Sequence, residues 1–201
     1  MISIRRAFTL LELLISLVVL TIIVLGLFNI QTFCDYQVVS AARKAQLQGE
    51  ASTILEQMAK SLAGTVTVPG TDAVQLIPAG SPTALRAFSD TNGNGVPEQG
   101  VDNWVEFNYS SSTYTLTYCA NLTSPGGTCS SPVVLTNKMI STMGPSNITF
   151  DNSTSYLDAS VTLCWDPSQN ASPNTALRCG SLRNPQVQMR ARIPLLSVSS
   201  N

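Results

Sequence analysis

Three groups of residues in this chain have types and spacings suited to chemistry. The first is Glu12, a lone carboxylate inside the apolar run from Phe8 to Ile30. An ionised side chain at the middle of a membrane helix costs about 2.5–3.5 kcal/mol on insertion scales, and less near an end. Such a residue needs a partner. The apolar run offers none, so the partner is expected on another chain. The second group is the loop from Asp90 to Glu98, Asp-Thr-Asn-Gly-Asn-Gly-Val-Pro-Glu. It sets Asp90, Asn92, Asn94 and Glu98 at offsets 1, 3, 5 and 9, with Val96 at 7 and a glycine at 6. Hard oxygens around a sharp glycine turn match the first half of a calcium loop. The usual bidentate glutamate is replaced by Val101, and Asp102 stands one place later as a substitute. The same residues also suit an Asn-Gly hairpin turn with positive φ, and both readings stand at this point.

The third group is the cysteines, at 34, 119, 129, 164 and 179. Cys119 and Cys129 flank a turn-rich stretch, and Cys164 and Cys179 flank a loop rich in Pro and Asn. Both spacings suit local disulfide staples in an oxidising compartment, although spacing alone does not fix connectivity. Closing a 15-residue loop contributes about 3 kcal/mol in the entropic treatment. Structural zinc is a poor fit, because the chain has no His and no Cys-x-x-Cys pair. Cys34 lies just past the apolar run, where a buried or membrane-edge thiol is expected rather than a nucleophile. Catalysis has little to stand on. There is no His to serve as base or shuttle, no Gly-x-Ser-x-Gly and no phosphate loop. The expectation is a protein that is not an enzyme.

The elements that carry these groups follow from periodicity. A helix of 23 residues from Phe8 to Ile30 spans about 34 Å, enough to cross a bilayer. The stretch Gln31–Ala63 contains no Pro and one glycine, Gly49. Leu47, Ala51, Ile54, Met58 and Leu62 recur at spacings of three and four and form one apolar stripe. Arg43, Lys44, Gln46, Glu50, Gln57 and Lys60 are expected on the opposite face. Gly64 ends the helix, and residues 65–69 change to a strand-like period. Alternating apolar and polar residues mark strands at 113–118, 157–163 and 187–193. A sheet that is apolar on one face needs a cover, and the stripe at 47–62 can supply it. The fold class is therefore α+β: one long N-terminal helix packed on an antiparallel β-sheet head.

The first thirty residues resemble the type IV pilin superfamily. Its members carry a short basic leader, then Phe-Thr-Leu-x-Glu, then an apolar helix. Here Phe8, Thr9, Leu10, Leu11 and Glu12 match, after a leader containing Arg5 and Arg6. The resemblance implies cleavage by a prepilin peptidase between Ala7 and Phe8, N-methylation of Phe8, and an assembly role for Glu12 opposite a neighbour's N-terminal amine. The family usually has Gly where this chain has Ala7. A secretory signal peptide would have an apolar core of about 7–15 residues followed by small residues at the cut, and this run is longer. An uncleaved anchor accounts for the length and for the flanking arginines, which favour a cytoplasmic N-terminus. It leaves Glu12 unexplained.

The resulting organisation is a leader at 1–7, a membrane or filament-core helix at 8–30, its amphipathic continuation at 31–63, and a β-rich head at 64–201 with two loop disulfides. Loss of the leader moves the formal charge from −1 to −3, nine basic side chains against twelve acidic. That argues against a broad nucleic-acid surface, which needs a basic stripe. The head's size and the segment Ser181-Leu182-Arg183-Asn184 look more like a minor pilin or a type II secretion pseudopilin than a small major pilin. Such a subunit primes or caps a type IV pilus or pseudopilus, with other pilins as partners, the inner membrane as anchor and the head in the periplasm. The competing reading is a membrane-tethered adhesin or DNA-uptake module on a pilin-like stem. Calcium is the one cofactor in question.

Overall fold

A computed structural model describes residues 9–66, 74–77, 84–124, 126–140 and 156–195. The leader, Ala7 and Phe8 lie outside these residues, as do positions 67–69 of the expected first strand.

Helix α1 runs unbroken from Leu10 to Ala63, 54 residues or about 80 Å at the standard rise. Thr9 caps its start, and Gly64 ends it with its N–H donating to the Leu62 carbonyl. Up to Val39 the Leu, Ile, Val and Phe side chains of the helix are exposed, while Tyr36 meets Arg183 of the head. Beyond that point one face is buried. Leu47, Ala51, Ile54, Met58 and Leu62, the stripe expected from the spacing, are all buried, together with Ser40, Leu55 and Ser61. The polar flank is a correction. Lys44, Gln46 and Lys60 are solvated as expected, but Arg43, Glu50 and Gln57 are half-buried, and Arg43 and Glu50 bond the head. A stripe wide enough to cover a sheet brings its bordering residues into the contact.

The head holds seven described strands. Strands β1 (Val74–Ile77), β2 (Ala84–Ser89), β3 (Asn103–Ser110), β4 (Thr115–Leu122) and β5 (Val133–Thr136) form an antiparallel meander in chain order. Strands β6 (Tyr156–Cys164) and β7 (Gln186–Pro194) form an antiparallel pair. Residues 138–140 join the two sheets. Met139 bridges to Leu163, the Ile140 N–H donates to the Thr162 carbonyl, and the Cys164 N–H donates to that of Lys138. The helix stripe lies mainly on β7 and β6. Val187, Met189, Ala191 and Ile193 alternate toward it, while Gln186, Gln188, Arg190 and Arg192 face out.

Two sequence expectations shift. Thr113 and Tyr114 belong to the β3–β4 turn rather than to β4, and Tyr114 sits at φ 57°. A left-handed backbone at a tyrosine interrupts the strand period before it starts. Strand β6 is buried on both faces, since Ser160 and Thr162 are covered as well as Leu157, Ala159, Val161 and Leu163. The Gln188 side-chain amide reaches across to the Ser160 hydroxyl.

Two apolar clusters result. The larger joins the helix stripe to β2–β4, β6 and β7. The smaller gathers Val66, Phe88, Trp104, Leu122 and the Cys119–Cys129 bond. Arg86 and Glu106 face each other across β2 and β3 as an ion pair, with Glu106 buried. Arg86 also donates to the Gly127 carbonyl, which ties the first disulfide loop to the sheet. Removing one member of a buried pair strands the other at a cost of about 3–5 kcal/mol. Glu106→Ala is therefore expected to lower unfolding stability by about 3 kcal/mol, read by urea titration of tryptophan fluorescence in detergent. A loss under ~1 kcal/mol would show a pair as weak as a solvated one.

Candidate functional site

The N-terminal end of α1 carries the first candidate. Thr9 and Glu12 form a reciprocal capping box. The Glu12 N–H donates to the Thr9 hydroxyl oxygen at 3.3 Å, while Glu12 Oε2 accepts from the Thr9 N–H at 3.1 Å and the Thr9 hydroxyl at 3.0 Å. Two donors that a helix start otherwise leaves bare are thus satisfied. This corrects the expectation that the apolar segment provides Glu12 with no partner. The missed signal was present as Thr9-x-x-Glu12 before an apolar run, the capping-box pattern. Both side-chain bonds fall on Oε2. Oε1 makes no hydrogen bond among the described residues.

The second candidate is the 90–102 loop. Asp90 Oδ1 accepts from the Gly93 N–H and Oδ2 from the Gly95 N–H, both at 2.6 Å. Asn92 Oδ1 accepts from the Asn94 N–H, and Asn94 Oδ1 from the Val96 N–H. Gly93 and Gly95 both stand at φ 74°, the positive-φ positions that the Asn-Gly repeat anticipated. Glu98 accepts from the Asn92 amide at 3.0 Å. Asp102 is buried, and its two oxygens accept from the Thr91 and Glu98 main-chain N–H groups at 2.8 and 2.9 Å. It ties the two ends of the loop together through Thr91 and Glu98. Among the described residues, no three acidic, Cys or His side chains gather in a group able to hold a metal. Asp90, Asn92, Asn94, Glu98 and Asp102 each accept a bond within the loop through at least one side-chain oxygen, so the loop is closed by its own hydrogen bonds.

Those bonds also set the loop's acid response. The Gly95 N–H, helped by those of Gly93, Asn94 and Asn92, holds the Asp90 carboxyl below its ordinary value against an opposing effect of burial. A depressed carboxyl stabilises the fold in full above its unfolded pKa of about 4. That contribution disappears as the pH falls through the folded value.

The cysteines pair as Cys119–Cys129 and Cys164–Cys179, and Cys34 is free and exposed on the helix. A cleft of about 350 Å³ opens between the β3–β4 turn, the 137–138 linker and the start of the second disulfide loop. Tyr114, Asn137, Lys138, Trp165 and Asp166 line it.

With this geometry in view, the comparisons with known proteins concern the N-terminus. Residues 2–28 match the model of the prokaryotic N-terminal methylation motif. No curated protein and no solved structure matches the chain. The chain therefore carries a prepilin-type methylation motif, and it is type IV pilin-like where that motif runs. Together with the one helix long and apolar enough to cross a membrane, this supports a membrane-anchored pilin- or pseudopilin-like precursor. The motif implies processing by a prepilin peptidase and assembly with other pilins, which is a structural role.

Asp102→Ala removes the acceptor for two main-chain donors. Each bond to a charged group is worth about 1.5–3 kcal/mol, so a loss of about 3 kcal/mol is expected in the same urea titration. Thermal melts in calcium and in chelator are expected to share one midpoint. A midpoint that rises with calcium as RT ln(1 + [L]/Kd) would instead make Asp90, Asn92, Asn94, Val96 and Glu98 its ligands.

Proposed function

We propose that this chain is a minor pilin or pseudopilin, a structural subunit that primes or caps a type IV pilus or a type II secretion pseudopilus after its leader is removed. The observation that carries the reading is Glu12, held at the helix start by Thr9 with one carboxylate oxygen left over. In lipid, or in a core built of apolar helices, that oxygen has a favourable partner in a cation. Cleavage between Ala7 and Phe8 creates one, the methylated amine of Phe8 on an adjacent subunit. The attraction is large in gross terms at low dielectric, and desolvation offsets much of it. Stranding one member of such a pair costs about 3–5 kcal/mol, enough to decide whether a subunit enters a filament.

The surrounding features agree with this role. The exposed apolar run from Leu10 to Ile30 suits either lipid or other helices. Two disulfides suit an oxidising space outside the cytoplasm, with the head in the periplasm and a single pass through the inner membrane. The second reading, a tethered adhesin or DNA-uptake module, draws support from the cleft at Tyr114 and Trp165. It makes no demand on Glu12.

The mature N-terminus tests processing. Mass spectrometry of membrane-extracted protein is expected to find methylated Phe8 as the first residue, and Ala7→Gly to be cleaved at least as well. An intact Met1 or a cut beyond residue 30 would count against it. Glu12→Ala tests assembly. It removes the capping box, worth about 1 kcal/mol to the first helical turn. That turn lies 35 residues, or about 52 Å, before the first stripe residue, Leu47. Level, cleavage and membrane location are therefore expected to stay near normal, while incorporation into sheared filaments or crosslinked pilin complexes falls sharply. Thr9→Ala also removes the capping box but keeps the carboxylate, so it is expected to assemble better than Glu12→Ala. Equal assembly by Glu12→Ala and the parent would transfer the assignment to the tethered module.

A further inference from the structure

Four residues of α1 at intervals of seven face the head: Tyr36, Arg43 and Glu50 bond it directly, and Gln57 reaches it through Ser61. A straight helix drifts only about 20° per heptad, so these four run nearly in line along one flank of the stripe. Gln57 donates to the Ser61 hydroxyl, which donates to the Tyr118 hydroxyl at 3.3 Å. Glu50 accepts from the Thr136 hydroxyl at 2.6 Å and from Lys138 Nζ at 2.9 Å. Arg43 and Tyr36 are held by the excursion between β6 and β7. Arg43 Nη1 donates to the Arg183 carbonyl at 2.7 Å, and its guanidinium carbon lies 5.1 Å from the Trp165 ring centroid. Arg183 lies over the Tyr36 ring at 5.1 Å and donates to its hydroxyl at 3.4 Å. Ser40, placed between Tyr36 and Arg43 on the same face, is the first buried residue of the helix, although residues 37–39, 41 and 42 are exposed.

The excursion has little regular structure, yet it is closed on itself at three levels. The Cys164–Cys179 bond spans most of it. The Trp165 N–H donates to the Pro185 carbonyl at 3.0 Å across its base. Asn184, only 4 % exposed, accepts from the Asp166 N–H through Oδ1 and donates through Nδ2 to the Asp166 and Leu177 carbonyls. The two residues that grip the helix, Trp165 and Arg183, sit beside the disulfide and beside Asn184.

We propose that the Trp165–Pro185 loop is a strap that locks the head to the stem helix at Tyr36 and Arg43, with Asn184 as the residue that holds the strap in its gripping shape. Glu50 and Gln57 alone would leave the helix unsupported before residue 47. With the strap in place, the head is fixed in rotation about the stem for about three further helical turns, back to Tyr36. The inference rests on contacts within one chain and stands whichever of the two functional readings holds.

Hydrogen–deuterium exchange of the full-length protein in detergent micelles tests it. The double variant Arg43→Gln/Arg183→Gln alters two side chains outside the apolar clusters. It is expected to speed amide exchange at residues 36–46 about tenfold, with peptides from β6, β7 and the meander unchanged. Asn184→Ala is expected to speed exchange at 36–46 and within 165–183 while β6 keeps its protection. Parent-like exchange at 36–46 in the double variant overturns the strap. Exchange that rises in β6 as much as in the loop for Asn184→Ala overturns the positioning role of that residue.

Discussion

A single helix has to satisfy two solvents, and the rest of the structure depends on how it does so. From Leu10 to Ile30 its side chains meet nothing in the head, so lipid or other apolar helices must cover them. From Ser40 to Leu62 one face is buried against the head. No proline interrupts the 54 residues, so the two halves are mechanically one rod. Whatever orients the head on the rod therefore also orients it relative to the membrane. The apolar stripe supplies the adhesion. The polar residues spaced by seven supply the rotation, since hydrogen bonds and cation–aromatic contacts are directional and apolar contact is not.

The head is built to accept that rod. Its meander is closed by local hairpins and by the Cys119–Cys129 bond, and its second sheet by β6 and β7 with the Cys164–Cys179 bond at one end. The 138–140 segment joins the two. Because β6 is buried on both faces, it is the strand around which the two layers meet. The polar surface is largely neutral, so order in the long loops comes from disulfides, from Asx-type turns such as those of Asp90 and Asn92, and from buried polar residues such as Asp102 and Asn184. Each of those two satisfies main-chain groups that would otherwise be buried without partners.

Glu12 stands at the N-terminal end of the rod. Oε2 completes the capping box with Thr9. On the function proposed above, Oε1 is the atom that meets a neighbour's amine. A lone carboxylate without Thr9 would still attract an amine but would have more freedom to point elsewhere. The pairing of Thr9 with Glu12 thus positions the charge as well as capping the helix.

The sequence by itself determined what depends on period and on local chemistry. The helix, its end at Gly64, the stripe from Leu47 to Leu62, strands β6 and β7, the α+β class and the methylation motif were all legible. Each rests on residues within a turn or two of one another, or on a spacing that repeats. The glycine turns at Gly93 and Gly95 were legible for the same reason. The tertiary structure decided what depends on residues far apart in the chain. Asp102 became a loop tie, Arg86 found Glu106, and Arg43 and Glu50 left the solvated face for Arg183, Trp165, Thr136 and Lys138. No periodicity carries such information, because the partners lie as many as 140 residues apart. They are brought together only when the apolar faces of helix and sheet are buried together.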